Sequence, residues 1–138
     1  DAIVLAYAGL VRGGYGDRPT EVFDPERFVP APAQGALAVE CRADDADTHA
    51  AIATLIDDTA TVQARAERTV LAVLEAGCTA PVAAMSRVND GAIELRAGVF
   101  ALDGARQIVE DVTGTDPEDV GRRAAEALLE RGAAELMD

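Results

Sequence analysis

Two hairpin-turn signals, placed between apolar runs, constrain this chain more than any other feature. Asn89-Asp90-Gly91 and Asp103-Gly104 both contain the Asp-Gly pair that tight hairpin turns prefer, because these residue types tolerate a positive φ. The runs that they separate span residues 81–88, 93–102 and 107–113 and read as strands. The sequence therefore predicts a meander of three antiparallel strands.

A helix is predicted on each side of this meander. In the stretch from Thr61 to Gly77, apolar residues recur every three or four positions, and the glycine suits a helix end. After the strands, Asp116 offers a capping side chain and Pro117 fits the first helical position. The expected buried positions are Val62, Ala66, Val70, Val73 and Leu74 in the first helix and Val120, Ala124, Ala127, Leu128 and Leu136 in the second. Residues 58–138 are thus expected to form an α+β domain of helix, three-stranded antiparallel sheet and helix.

Residues 1–57 have a different organisation. Short strands are expected at Ile3–Ala6 and Ala36–Arg42, separated by a Gly- and Pro-rich connector over 13–33 with a helical turn after Asp24. A helix capped by Asp44 or Asp47 should follow, and 57–59 should be a boundary. The abrupt strand at the first residues suggests a piece of a larger α/β domain whose sheet partners lie elsewhere.

The charge of the chain excludes several classes of partner. A net charge of −13 opposes binding to nucleic acid and to anionic membranes. All twelve basic residues are arginine. Such a surface stays hydrated at high salt, which favours a salt-rich cytoplasm, although a GC-rich genome also selects arginine over lysine.

Cys78 is the most prominent candidate functional group. It follows Gly77 directly and precedes Pro81, which places it in a short loop after a helix. A helix C-terminus does not favour a thiolate, so a stable covalent tether suits Cys78 better than a nucleophile, and a purely structural role stays open. Cys41 is expected to be a small buried hydrophobe and His49 a solvated surface residue. Two cysteines are too few for a disulfide framework, which suggests a reducing cytoplasmic location.

Two further positions could contact a ligand. Arg12 lies where an arginine fork could bind a carboxylate, although its position alone favours a surface salt bridge. Gln34-Gly35 places an amide beside a glycine that allows a ligand to approach the backbone closely.

Four motifs in fixed order resemble the C-terminal portion of the porphobilinogen deaminase (hydroxymethylbilane synthase) family. They are residues 1–12, residues 29–42, Ala66-Glu67-Arg68, and the segment from Leu74 to Val82 that contains Gly77-Cys78. The resemblance implies an enzyme that joins four porphobilinogen units into a linear tetrapyrrole, hydroxymethylbilane, with loss of ammonia, for haem biosynthesis. It further implies that Cys78 carries a dipyrromethane cofactor through a thioether.

The resemblance also assigns domains and the remaining site residues. It implies that 1–30 is the tail of a second periplasmic-binding-protein-like α/β domain, that 31–57 returns to the first, and that 58–138 carries the cofactor cysteine. Arg12 would bind pyrrole carboxylates, and Ala6 and Gln34-Gly35-Ala36 would line the cleft that binds the dipyrromethane cofactor, porphobilinogen and the growing oligopyrrole.

No catalytic residue is expected in this chain. The family's catalytic aspartate and most of its cleft arginines belong to N-terminal domains, supplied in cis or in trans, so the isolated chain should be inactive. Gly13 and Thr79 stand where bulkier residues are common in the family, which affects local loop geometry. The competing interpretation is a non-catalytic α+β regulatory or assembly module in which Cys78 is structural.

Overall fold

The structure, a computed structural model, describes residues 1–77 and 79–137. Five helices and three strands lie in these ranges, in the order α1 Tyr7–Arg12, α2 Ala46–Ala53, α3 Asp58–Val73, β1 Val82–Asn89, β2 Ala92–Phe100, β3 Gln107–Gly114, α4 Pro117–Glu130 and α5 Ala134–Met137. The predicted α+β arrangement of helix, three-stranded antiparallel sheet and helix is confirmed.

The sheet is a meander in the order β1-β2-β3, with both pairs antiparallel. Asp90 and Gly91 join β1 to β2 with positive φ angles of 50° and 79°. Positive φ at both central residues gives the turn whose twist matches that of the strands it joins. Gly104 has φ 72° in the second turn, where Asp103 Oδ1 accepts from Ala105 N. The two Asp-Gly signals therefore set the strand order as predicted.

Helices α3 and α4 pack together on one face of the sheet, where they cover the inward side chains of β2. The predicted apolar stripes are confirmed, since Ala66, Val70, Val120 and Leu128 are fully buried. The helices approach closely at Gly121, where an added Cβ would lie 2.6 Å from Thr69 Cβ. The α4 helix is shorter than predicted, because Gly132 (φ 89°) turns the chain before α5.

Helix α3 ends earlier than the glycine suggested. Its last residue is Val73, and Glu75 takes the left-handed conformation, with φ 51°. Ala76 N donates to Leu71 O at 3.0 Å and Glu75 N donates to Ala72 O at 3.3 Å, the pair of bonds typical of a Schellman end. Cys78, the predicted attachment point, lies outside the described residues.

Both edges of the sheet form hydrogen bonds with other parts of the chain. On β1, Ala84 N donates to Pro30 O (3.0 Å), and Gln63 Nε2 donates to Ser86 O (2.6 Å). On β3, Arg131 donates to Val109 O (3.0 Å) and Arg123 donates to Thr113 O (2.8 Å). These contacts occupy backbone groups that edge strands otherwise leave open.

The two strands predicted in the first 57 residues are wrong. Ile3–Ala6 has no regular structure and is exposed, and the chain then enters α1. Ala36–Arg42 is also irregular, with Leu37 88% exposed and Cys41 half-buried rather than buried. A strand needs a neighbour for its backbone hydrogen bonds, and in the described ranges neither segment pairs with one.

Other predictions for this region hold. A turn follows Asp24, whose O accepts from Phe28 N at 2.8 Å. The α2 helix forms, although its cap is Asp45, between the two aspartates expected. Asp57 caps α3, so a new helix begins at the position of the expected boundary, and the domain boundary itself stays a prediction. None of the helices in the described ranges has the length and hydropathy needed to cross a bilayer.

Candidate functional site

A cleft of about 270 Å³ lies where the segment Pro30–Ala36 meets α3 and β1. Three sequence-predicted site residues, Gln34, Gly35 and Ala36, line it together. The opposite wall comes from α3 and β1; the residues lining it are Ala60, Gln63, Ala64, Glu67, Ala84 and Met85. The structure therefore brings the Gln-Gly-Ala motif against the α+β domain.

Glu67 holds these three parts of the chain together. Only 8% of the residue is exposed, yet its carboxylate has three hydrogen-bond donors, all at 2.7 Å. Ala33 N donates to Oε2, while Ser86 N and Ser86 Oγ donate to Oε1. A buried carboxylate is costly unless its oxygens are satisfied, so these donors are required for Glu67 to occupy this position.

The loop at the cleft is held in an unusual conformation. Ala33 has φ 58°, in the left-handed region that costs a residue with a Cβ about 1–2 kcal/mol. Gln34 N donates to Ala31 O (3.1 Å) and Ala36 N donates to Ala33 O (3.0 Å), which closes two successive turns. A Cβ placed on Gly35 would find nothing within 4 Å, so the backbone there is open to a ligand.

Ala6 and Arg12 lie on a separate element. Ala6 is the N-cap of α1 and Arg12 is its last residue, and both are exposed. Arg12 does not follow a strand, because residues 7–12 adopt helical structure and Arg12 is part of that helix. Within the described ranges, no hydrogen bond or ion pair joins Arg12 to the Gln34–Ala36 segment.

The arginines differ in whether they form ion pairs. Among the described residues, seven arginines form ion pairs, and all seven lie at residue 65 or later. The other five are exposed and form no ion pair with the residues that the structure describes; they are Arg12, Arg18, Arg27, Arg42 and Arg68. An unpaired guanidinium is suited to an external carboxylate, which its fork binds through two bonds.

A second cleft, of about 240 Å³, lies on the sheet face opposite the helices. Here Arg96 Nε and Nη2 donate to the two oxygens of Asp111, both at 2.8 Å. This hydrogen bonding lowers the pKa of Asp111 below its usual 3.8 and raises that of Arg96. The Glu26 carboxylate pairs with Arg87 at 2.6 Å, and the Glu26 backbone carbonyl accepts from Arg96 Nη1. The charges of this cleft therefore largely neutralise one another.

The residues beside Cys78 are described although Cys78 itself is not. Ala80 N donates to Gly77 O at 3.0 Å, and both Gly77 and Thr79 are exposed. This hydrogen bond connects the two sides of the predicted loop.

Sequence reasoning missed the role of Glu67. Ala66-Glu67-Arg68 contributed to the resemblance, but no function was assigned to the carboxylate. The available signal was its position beside Ala66 and three residues before Val70, at the margin of the buried stripe of α3. Its donors come from 34 and 19 residues away in sequence, which no local pattern reveals.

Two family models match different parts of this chain. Residues 61–130 match the family model described as "Porphobilinogen deaminase, C-terminal domain", and residues 1–50 match "Porphobilinogen deaminase, dipyromethane cofactor binding domain". The α+β unit is thus of the kind found at the C-terminus of these transferases.

Curated relatives give the same result. Porphobilinogen deaminases of Corynebacterium aurimucosum and Corynebacterium diphtheriae are 54% and 53% identical over 99% of this chain and 47% of their own length. That of Geobacillus kaustophilus is 46% identical over 100% of this chain and 45% of its own. The chain belongs to the porphobilinogen deaminase family, as its ordered motifs predicted. It spans about half the length of the curated relatives it matches.

Proposed function

We propose that this chain is the cofactor-anchoring portion of a porphobilinogen deaminase, the transferase that assembles hydroxymethylbilane from four porphobilinogen molecules with release of ammonia. The observation that carries this proposal is the pair of family matches in one order, 1–50 and 61–130, within an alignment at 54% identity over 99% of the chain. The substrate and the growing oligopyrrole are then polycarboxylates.

In this proposal the Sγ atom of Cys78 forms a thioether to a dipyrromethane. When bound, that group supplies the primer to which pyrrole units are added. Cys78 lies within the range matched by the C-terminal family model, whereas Ala6, Arg12 and Gln34–Ala36 lie within the range matched by the cofactor-binding one. The proposed site is therefore assembled from both regions of the chain.

The chemistry of the available groups suits a polycarboxylate. Arg12 is exposed and forms no ion pair within the described ranges, so its guanidinium is available for an acetate or propionate group. The Gln34 amide can donate to a second carboxylate, and the open backbone at Gly35 allows close approach. Glu67 lines the same cleft, but its oxygens already accept three hydrogen bonds, which reduces its repulsion of an anionic ligand.

We also propose that 1–30 and 31–57 belong to two α/β domains completed by sequence outside this chain. Support comes from the exposure of apolar side chains that a folded domain buries; they are Ile3, Val4, Leu5, Leu37, Val39, Leu55 and Ile56. The proton-handling groups of the reaction would lie in that outside sequence, and the working location would be the cytoplasm.

The experiment is to express this chain with the portion of the Corynebacterium aurimucosum relative outside the matched range, in a haem-synthesising host. We expect an added mass equal to one dipyrromethane, a positive Ehrlich's colour reaction and turnover of porphobilinogen. Cys78→Ser should abolish the adduct, whereas Cys41→Ser, the matched control, should retain it. A mass equal to the bare sequence in the assembled protein, or an adduct mapped to Cys41, would contradict the proposal and favour a structural cysteine in a non-catalytic module.

A further inference from the structure

Glu67 joins segments that are far apart in sequence through a single carboxylate. Its Oε2 accepts from Ala33 N in the loop, and its Oε1 accepts from Ser86 in β1. The carboxylate itself lies on α3. A glutamine in its place would offer one acceptor and one donor group, and so could not accept from both sides.

The backbone of the loop has an unfavourable conformation at Ala33. Ala33 keeps φ 58° directly before Gln34, and such a conformation persists only where its surroundings impose it. The bond from Ala33 N to Glu67 is one such constraint. A second constraint lies at Pro30, earlier in the same loop, whose backbone O accepts from Ala84 N.

We propose that Glu67 is a positioning residue, whose carboxylate sets the place of Gln34-Gly35-Ala36 in the cleft against α3. The contacts of Glu67 do not depend on the proposed function, whereas their importance for pyrrole binding rests on it. Glu67 touches no substrate in this role. It acts through the Ala33 amide, which begins the turn that presents Gln34 and Gly35.

The test is NMR-detected amide hydrogen exchange on the chain itself, with Ala33 reporting the loop and Leu95 reporting the sheet. In Glu67→Gln, exchange at Ala33 should become about tenfold faster, while exchange at Leu95 stays within about twofold. Ser86→Ala is the matched control, because it removes one bond to the same carboxylate but leaves the Ala33 bond. It should leave Ala33 within about threefold of the parent chain.

A second variant, Glu67→Asp, tests for a general loss of stability. It keeps the charge but shortens the side chain by one carbon. If both Glu67 variants speed exchange at Ala33 and Leu95 by the same factor, Glu67 supports the fold as a whole and the proposal is wrong. An unchanged Ala33 rate in Glu67→Gln also overturns it. Faster exchange confined to the loop supports it.

A functional readout separates this proposal from the proposed function. In the assembled protein, Glu67→Gln should raise the KM for porphobilinogen about tenfold, and Ser86→Ala should change it less than about twofold. An inactive parent protein would count against the proposed function, and the exchange data would still decide the role of Glu67. Equal KM values for the parent and Glu67→Gln would overturn the positioning role.

Discussion

At the scale of single residues, the Arg96–Asp111 pair makes stability depend on pH. Hydrogen bonds from Arg96 hold the pKa of Asp111 below 3.8 in the folded chain. A carboxylate with a lowered folded-state pKa stabilises the fold above its unfolded pKa, and this contribution is lost as pH falls through the folded value. The effect therefore lies in the acid range, below about pH 4.

Asp111→Asn should lower the free energy of unfolding near pH 6 by about 1 kcal/mol or less, since Asp111 is largely exposed. The difference from the parent chain should shrink as pH falls below about 3.8. Urea titrations at several pH values measure it. The control is Asp90→Asn, at a carboxylate that forms no ion pair in the described ranges, and its effect should not vary in the same way. A parallel offset for Asp111→Asn at all pH values would contradict the assignment.

Glu75 provides a second prediction at this scale, because it occupies the left-handed position after α3 without being glycine. The Glu75→Gly variant should be more stable than the Glu75→Ala variant, with a free energy of unfolding about 1 kcal/mol higher. The reason is that only glycine enters this conformation without steric cost. Denaturant unfolding of the two variants measures the difference directly. Equal stabilities would show that the helix end rearranges.

At the scale of elements, Gly121 sets the distance between α3 and α4. An added Cβ would lie 2.6 Å from Thr69 Cβ, and the nearest atoms belong to backbone and a β-branched side chain that have little freedom to move. Gly121→Ala should therefore destabilise the chain by about 1–3 kcal/mol, despite the better helix propensity of alanine. Thermal and urea unfolding test this. Gly9→Ala, in α1 where the space is open, is the matched control and should cost nothing measurable.

The elements also show what a sequence can predict. The meander and its helices were predictable because Asp-Gly turns, Asp116-Pro117 and the α3 stripe are local signals that packing reinforces. The strands expected at 3–6 and 36–42 did not form, and neither an apolar run nor an alternation of apolar residues shows whether a neighbouring strand is present. The same limit applies to the site. Gln34 and Gly35 could be proposed from the local Gln-Gly pair and the family resemblance, but their connection to Glu67 through the Ala33 amide exists only in the folded chain.

At the scale of the whole molecule, the acidic net charge makes stability depend on salt. The net charge is −13, and in the part of the chain that the structure describes the arginines that form ion pairs all lie at residue 65 or later. Added KCl screens the remaining repulsion between carboxylates, so the thermal midpoint should rise as KCl is raised well beyond 0.15 M, where the Debye length falls below about 8 Å. Scanning calorimetry over a KCl series measures this. A midpoint insensitive to KCl would favour a GC-rich genome as the source of the arginine-only composition.

The hydrogen bonds at the two sheet edges affect how the chain behaves when it is concentrated. An incoming strand from a second copy would have to displace Arg123 and Arg131 from β3, or the Pro30 and Gln63 contacts from β1. Edge-to-edge pairing is the usual route to fibrils and strand-swapped dimers. Any self-association of this chain should therefore involve the exposed apolar side chains of the first 57 residues and leave the amide protection of the sheet unchanged.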